Sequence, residues 1–166
     1  MPAEYPNLTS SFRIKNTWFR NRFFVAPHGM HTIQMAEEYP TEALLRYYIE
    51  KARGGAACVT LSGFNKNDPN PQDDLHIRLS WRALQNGLTQ RAYRKFVDAM
   101  HYYGAVASVQ MGFQGTRNRE GFMTGPSDLD TTGFGGQHIV EKAATLEDIE
   151  NSIEEVSEIA RSFKQA

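Results

Sequence analysis

The chain has 166 residues, with 18 Lys and Arg against 19 Asp and Glu, for a formal net charge of −1. Hydrophobic residues make up 40% and charged residues 22%, the composition of an ordinary globular protein, with no basic excess to neutralise nucleic-acid phosphates. That length accommodates one domain with a core but falls short of the roughly 250 residues of an eight-fold α/β barrel.

The amino end, MPAEYPNLTS, has neither the cationic start nor the apolar stretch of a signal peptide. No apolar run approaches the ~18 residues of a membrane span, so a cytoplasmic protein without membrane or nucleic-acid partners is expected. A hairpin follows, with strands at Phe12 to Ile14 and Trp18 to Phe19 about a turn at Asn16. Phe23 to Ala26 reads as the next strand, which breaks into Pro27, His28, Gly29 and Met30.

Three segments carry helical periodicity. In TEALLRYYIEKARGG, residues Leu44, Leu45, Tyr48, Ile49 and Ala52 recur at three- and four-residue steps, with Thr41 as the cap and Gly54 as the stop. The second is LTQRAYRKFVDAMHYYG, where Ala92, Phe96, Val97, Met100 and Tyr103 share one side and Gly104 ends the run. In TLEDIENSIEEVSEIARSFKQA, a stripe of Leu146, Ile149, Ile153, Val156, Ala160 and Phe163 predicts a one-faced helix, opened by a capping box of Thr145 with Asp148.

The first two helices each run through glycine into an apolar segment, Ala56 to Phe64 and Ala105 to Phe113. Neither segment alternates, the pattern of parallel strands covered on both faces. Cys58 lies inside the first of them and, as the single cysteine, has core packing as its expected role. The order is βαβαβα, and right-handed crossovers would set all three helices on one side of a curving sheet. Asn65 to Asn86 and Gln114 to Ala144, rich in Gly, Pro, Asn and Asp, read as long loops. His28 and His31 lack a third ligand at matching spacing, so no metal is expected. GFGGQH, from Gly133 to His138, lacks the strand, lysine and helix start of a phosphate loop and reads as a plain loop. The strand ends APHGM, LSGF and QMGF bring small residues and few charges, suiting a flat, neutral ring with a polar edge.

These stretches carry a resemblance. YPNLTSSFRIKNTWFRNRFFVAPHGMHT is similar to the opening of the old yellow enzyme and 2,4-dienoyl-CoA reductase family of FMN-dependent barrels. YYIEKARGGAACVTLSGF resembles that family's second-strand passage, HYYGAVASVQMGFQG its third strand, and GPSDL its A-P-S loop. The resemblance implies an α/β fold, a partial TIM (β/α)8 barrel made of the hairpin and the first three βα units. Residues 1–166 would then be the N-terminal portion of a single FMN-binding domain.

By the same resemblance, the flavin would lie against Ala26, Pro27, His28, Gly29 and Met30 after the first strand, Ser62 and Gly63 on the second, and Gln110 on the third. An amide donates and accepts at once, which an O=C–N–H edge requires. FMN is the implied cofactor, NADH or NADPH the reductant, and hydride transfer to an activated C=C bond of a small unsaturated molecule the reaction.

Two departures stand out. Phe113 and Thr116 replace the histidine and arginine of the family's Q-L-x-H-x-G-R, and the fourth strand, with its His-x-x-His/Asn pair, would come after Ala166. No catalytic residue is therefore assigned. The chain alone is expected to be incomplete and inactive. The alternative is a truncated, incompetent fragment that acts only by assembling with other chains, as a homo-oligomer or with the complementing remainder of a barrel.

Overall fold

The computed structural model describes residues 5–28, 39–64, 87–111, 123–132, 136 and 138–165, and only the backbone at 62–64, 123 and 155. They fall into two compact units that divide after Gly112.

In the first unit, a one-turn helix α1 (Pro6–Thr9) leads into the hairpin β1 (Phe12–Ile14) and β2 (Thr17–Phe19), paired antiparallel with Phe12 opposite Phe19. The turn occupies positions 15 and 16 as expected, with Lys15 in the left-handed region (φ 50°). Three parallel strands follow in the order β3-β4-β5: β3 (Phe24–Val25), β4 (Cys58–Phe64) and β5 (Val106–Met111). Each is shorter than the apolar segment that predicted it. Helices α2 (Glu42–Arg53) and α3 (Gly87–Tyr102) connect them.

The local signals account for these elements. The Thr41 side chain accepts from the Leu44 amide at 3.2 Å and caps α2. Gly54 is its C-cap, in the right-handed region, and Gly55 just beyond it takes φ 106°. Gly104 adopts φ 70° and ends α3. The helices bury Leu44, Leu45, Tyr48 and Ala52 from α2, and Thr89, Tyr93, Phe96 and Met100 from α3. Thr89 and Tyr93 thus belong to the covered row of α3, which the apolar pattern alone had not included.

β4 is the buried centre. Val59 and Leu61 are completely enclosed and Cys58 nearly so, and truncating a side chain such as Leu61 to Ala costs about 2–5 kcal/mol. Burial also pushes the Cys58 thiol above its ordinary range, with a Thr60 hydrogen bond working against it.

The hairpin covers the amino end of this sheet. Phe19 joins Ala57 and Cys58 in one cluster, with Phe12 and Val106 against it, and the Phe12 and Phe19 rings stack at 5.1 Å. Arg20 closes the same end, donating from Nη2 to the carbonyls of Ala52 and Ala56, each at 2.8 Å, and from Nη1 to that of Tyr103. Two of those acceptors lie at helix ends, where carbonyls lack intrahelical partners and the dipole favours a cation. Asn21 adds a bond to the Gly55 carbonyl at 2.8 Å.

The second unit replaces part of the expected loop Gln114 to Ala144 with a three-stranded sheet: β6 (Met123–Gly125), β7 (Leu129–Thr132) and β8 (His138–Ala143), in the order β6-β8-β7. β8 pairs parallel with β6 and antiparallel with β7. Asp128 ties the corner by accepting from the Ala143 amide at 2.7 Å. Of the loop GFGGQH, only Gly136 and His138 lie within the described residues, and His138 opens β8.

α4 (Leu146–Gln165) begins with the predicted box, in which the Asp148 amide donates to the Thr145 hydroxyl at 3.2 Å and Asp148 accepts from the Thr145 amide at 2.9 Å. Its apolar stripe is covered only at Val156 and Phe163. Leu146, Ile149 and Ile153 are 80%, 46% and 63% exposed, and Ala160 is exposed as well. The covered row is instead Ser152, Val156, Ile159 and Phe163, at steps of four, three and four. Ser152 fits this row because its hydroxyl donates to the Asp148 carbonyl at 2.6 Å. Among the described residues, no helix is long and apolar enough to cross a membrane.

Candidate functional site

The parallel register decides which strand ends meet. β3 and β4 pair at Phe24 with Cys58 and at Val25 with Val59. β4 and β5 pair from Cys58 with Val106 through Leu61 with Val109. The next pair is Phe64 with Met111, three steps along β4 against two along β5. β4 therefore holds one extra residue at 62–63. Bulges of this kind occur where a strand re-aims its backbone, often beside active sites, and a glycine there permits close approach.

Gln110 lies between the paired residues Val109 and Met111, so it shares a level with the Ser62–Gly63 bulge on the neighbouring strand. Ala26, Pro27 and His28 run one to three residues past the last β3–β4 pair, toward the same end. Six of the eight residues singled out in the sequence thus gather at the carboxyl end of one parallel sheet. Gly29 and Met30 lie outside the described residues.

Ala26, His28 and Gln110 are exposed, and Pro27 is half-buried. Only His28 of the six is titratable. The Gln110 amide offers a donor and an acceptor. Backbone, an amide and small residues fit the edge of a flat heterocycle such as the FMN ring better than they fit an ion. Among the described residues no group of three His, Cys, Asp or Glu is placed to hold a metal.

The backbone after β3 is held by α2. The Tyr48 hydroxyl donates to the His28 carbonyl at 3.1 Å, and the His28 ring meets the Tyr47 ring edge-on at 6.3 Å. Tyr48 is fully buried and crosses the Phe96 ring of α3 at 6.0 Å. Periodicity had marked Tyr48 as a core residue only, and a bond to a carbonyl 20 residues away leaves no trace in a helical pattern.

The groups whose titration burial raises lie elsewhere. Cys58 pairs with Phe24 at the amino end of the sheet, and Tyr93, raised well above the ordinary phenol range by burial, sits on α3. In the second unit, His138 Nε2 lies 2.7 Å from Asp130 Oδ1, with both side chains largely in solvent.

Comparison with known proteins identifies the family. The model of the NADH:flavin oxidoreductase / NADH oxidase family matches residues 7–166. An NADPH dehydrogenase of Listeria monocytogenes is 24% identical over 160 residues, covering 96% of this chain and 43% of the relative. A multifunctional alkene reductase/demethylase of Caballeronia cordobensis is 31% identical over 111 residues, covering 66% of this chain and 15% of the relative. Histamine dehydrogenase from Rhizobium sp. 4-9 superposes with a TM-score of 0.73 at 20% identity, covering 99% of this chain and 24% of that one. The chain thus spans less than half the length of these relatives. It belongs to the NADH:flavin oxidoreductase / NADH oxidase family, the old yellow enzyme family, whose cofactors are FMN and NAD(P)H.

Proposed function

We propose that residues 1–166 form the hairpin and first three βα units of a single FMN-binding (β/α)8 barrel, and that their carboxyl strand ends make one side of the flavin shelf. One observation carries this reading: the Ser62–Gly63 bulge, Gln110 and the Ala26–His28 segment occupy adjacent strands at the same end of the sheet. That is the end at which barrel enzymes place their chemistry. Bound FMN supplies hydride transfer. The chain's own part is to hold the ring.

In this reading the backbone of Ala26, Pro27 and His28, continued by Gly29 and Met30, lies along one edge of the ring. The bulge at Ser62–Gly63 brings a second strand close to it. The Gln110 amide pairs with the pyrimidine edge, donating from its NH₂ and accepting at its carbonyl. The complete protein, in the cytoplasm, uses NADH or NADPH to reduce an activated C=C bond of a small molecule, an activity supported by the alkene reductase among the relatives.

A second reading rests on a separate observation. Among the described residues β3 and β5 each have one strand neighbour in the sheet, and Phe24 on β3 is 48% exposed. Edges of this kind template pairing with further strands, so the chain would function only when other copies or the remainder of a barrel complete it. Colour and size separate the two readings. A purified chain that is yellow and monomeric supports a self-sufficient flavin shelf, whereas a colourless, associated chain favours assembly.

A further inference from the structure

We propose that Tyr48 is a positioning residue for the flavin shelf: its hydroxyl fixes the backbone that leaves β3, so that Pro27 and His28 meet the ring already ordered. The inference rests on the reading of this strand end as a flavin site.

Three observations support it. First, β3 is only two residues long, and its last pair with β4 is Val25 with Val59, so Ala26, Pro27 and His28 extend beyond the ladder. Second, the Tyr48 hydroxyl reaches that extension directly, at 3.1 Å from the His28 carbonyl. Third, the tyrosine is itself immobilised. It is fully buried, set edge-on against Phe96 of α3 at 6.0 Å and against Tyr47 at 5.2 Å.

Tyr47 completes a two-point clasp. Consecutive residues diverge on a helix, and while Tyr48 holds the His28 carbonyl, Tyr47 meets the His28 ring edge-on at 6.3 Å. Lys51, one turn on, places Nζ 4.7 Å from the Tyr47 ring centroid and steadies that side. Two helical tyrosines thus hold one residue by its backbone and its side chain.

His28 is exposed and the bond to its carbonyl is only part-buried, so the bond lies at the border of the core rather than within it. Losing the hydroxyl therefore costs the fold little but releases the strand end. A binding site whose backbone must be ordered on association loses affinity by that ordering. The bond serves the site more than the core.

Tyr48→Phe in the full chain tests this, because it keeps both ring contacts and removes only the donor. Hydrogen exchange without ligand should be faster at the Ala26 and His28 amides in the variant, while the urea midpoint stays close to wild type. FMN titration should show affinity about five- to tenfold weaker, with an altered absorption band for whatever flavin binds. Equal exchange in the two proteins overturns the proposal, as does FMN binding of unchanged strength and spectrum. A wild-type chain that leaves FMN free removes the flavin reading, and the exchange comparison then decides whether Tyr48 orders the strand end.

Discussion

The Arg20 guanidinium donates to the Ala52 carbonyl at 2.8 Å, joining residues 32 apart in sequence. The same side chain holds Ala56 and Tyr103, so one cation ties the end of α2, the approach to β4 and the end of α3. This is the amino end of the parallel sheet, opposite the strand ends that form the candidate site. Stability and function are therefore assigned to opposite ends of one sheet, and the two can be perturbed separately.

Arg20→Ala should lower stability by about 2 kcal/mol, the loss of charge-assisted bonds to three carbonyls discounted for the exposure of the side chain. Arg20→Lys should recover less than half of that, since an ammonium cannot present the planar fork that reaches several acceptors. Urea unfolding followed by far-UV circular dichroism measures both.

Gly104→Ala should destabilise by about 1–2 kcal/mol. The residue needs φ 70°, which a β-carbon resists, and that carbon would lie 3.5 Å from Arg20 Nη1. Contact at that distance is ordinary, so the cost is conformational and Gly104→Asn, which tolerates the left-handed region, should be milder. Thermal melting of the two variants compares them.

Stability should fall as the pH rises above about 9. Burial raises the folded values of Cys58 and Tyr93, so the unfolded chain releases these protons first and binds fewer than the native state. The stabilisation is complete below the unfolded values and is lost as pH climbs through the folded ones. Urea midpoints at successive pH values should decline in wild type, and Cys58→Ala should flatten the onset. Native Cys58 should also react with a thiol reagent far more slowly than the unfolded chain, because the thiolate is the nucleophile.

Ile153→Lys should change stability by less than about 0.5 kcal/mol, as surface substitutions do, since Ile153 is 63% exposed. Ile159→Lys, by contrast, should unfold the helix from its support, because Ile159 is buried and would carry an unpaired charge inside. Circular dichroism of the two variants tests which face of α4 is covered.

Much of the first unit was legible because its signals are local or strictly periodic. Thr41 and Gly104 occupy the capping positions that their chemistry dictates, as does the Thr145–Asp148 box in the second unit, and unbroken apolar runs gave two parallel strands. The three strands between 123 and 143 were not legible. Leu129–Thr132 is exposed throughout, and its Asp and Thr residues read as loop; pairing with β8 makes it a strand. The stripe of α4 matches the covered row only at Val156 and Phe163, because apolar spacing cannot distinguish a covered row from an adjacent exposed one. At the candidate site the residues were named by resemblance alone, whereas the bulge that levels Ser62–Gly63 with Gln110 and the Tyr48 bond to His28 are matters of register and packing.

The most direct test is flavin titration of wild type against Gln110→Leu, followed by quenching of flavin fluorescence, with riboflavin beside FMN. If these strand ends hold the ring edge, both flavins bind wild type with similar strength, because the contacts are to the ring rather than the phosphate, and Gln110→Leu binds about tenfold more weakly. Wild type that binds neither flavin, or a variant that binds as tightly as wild type, would contradict the account.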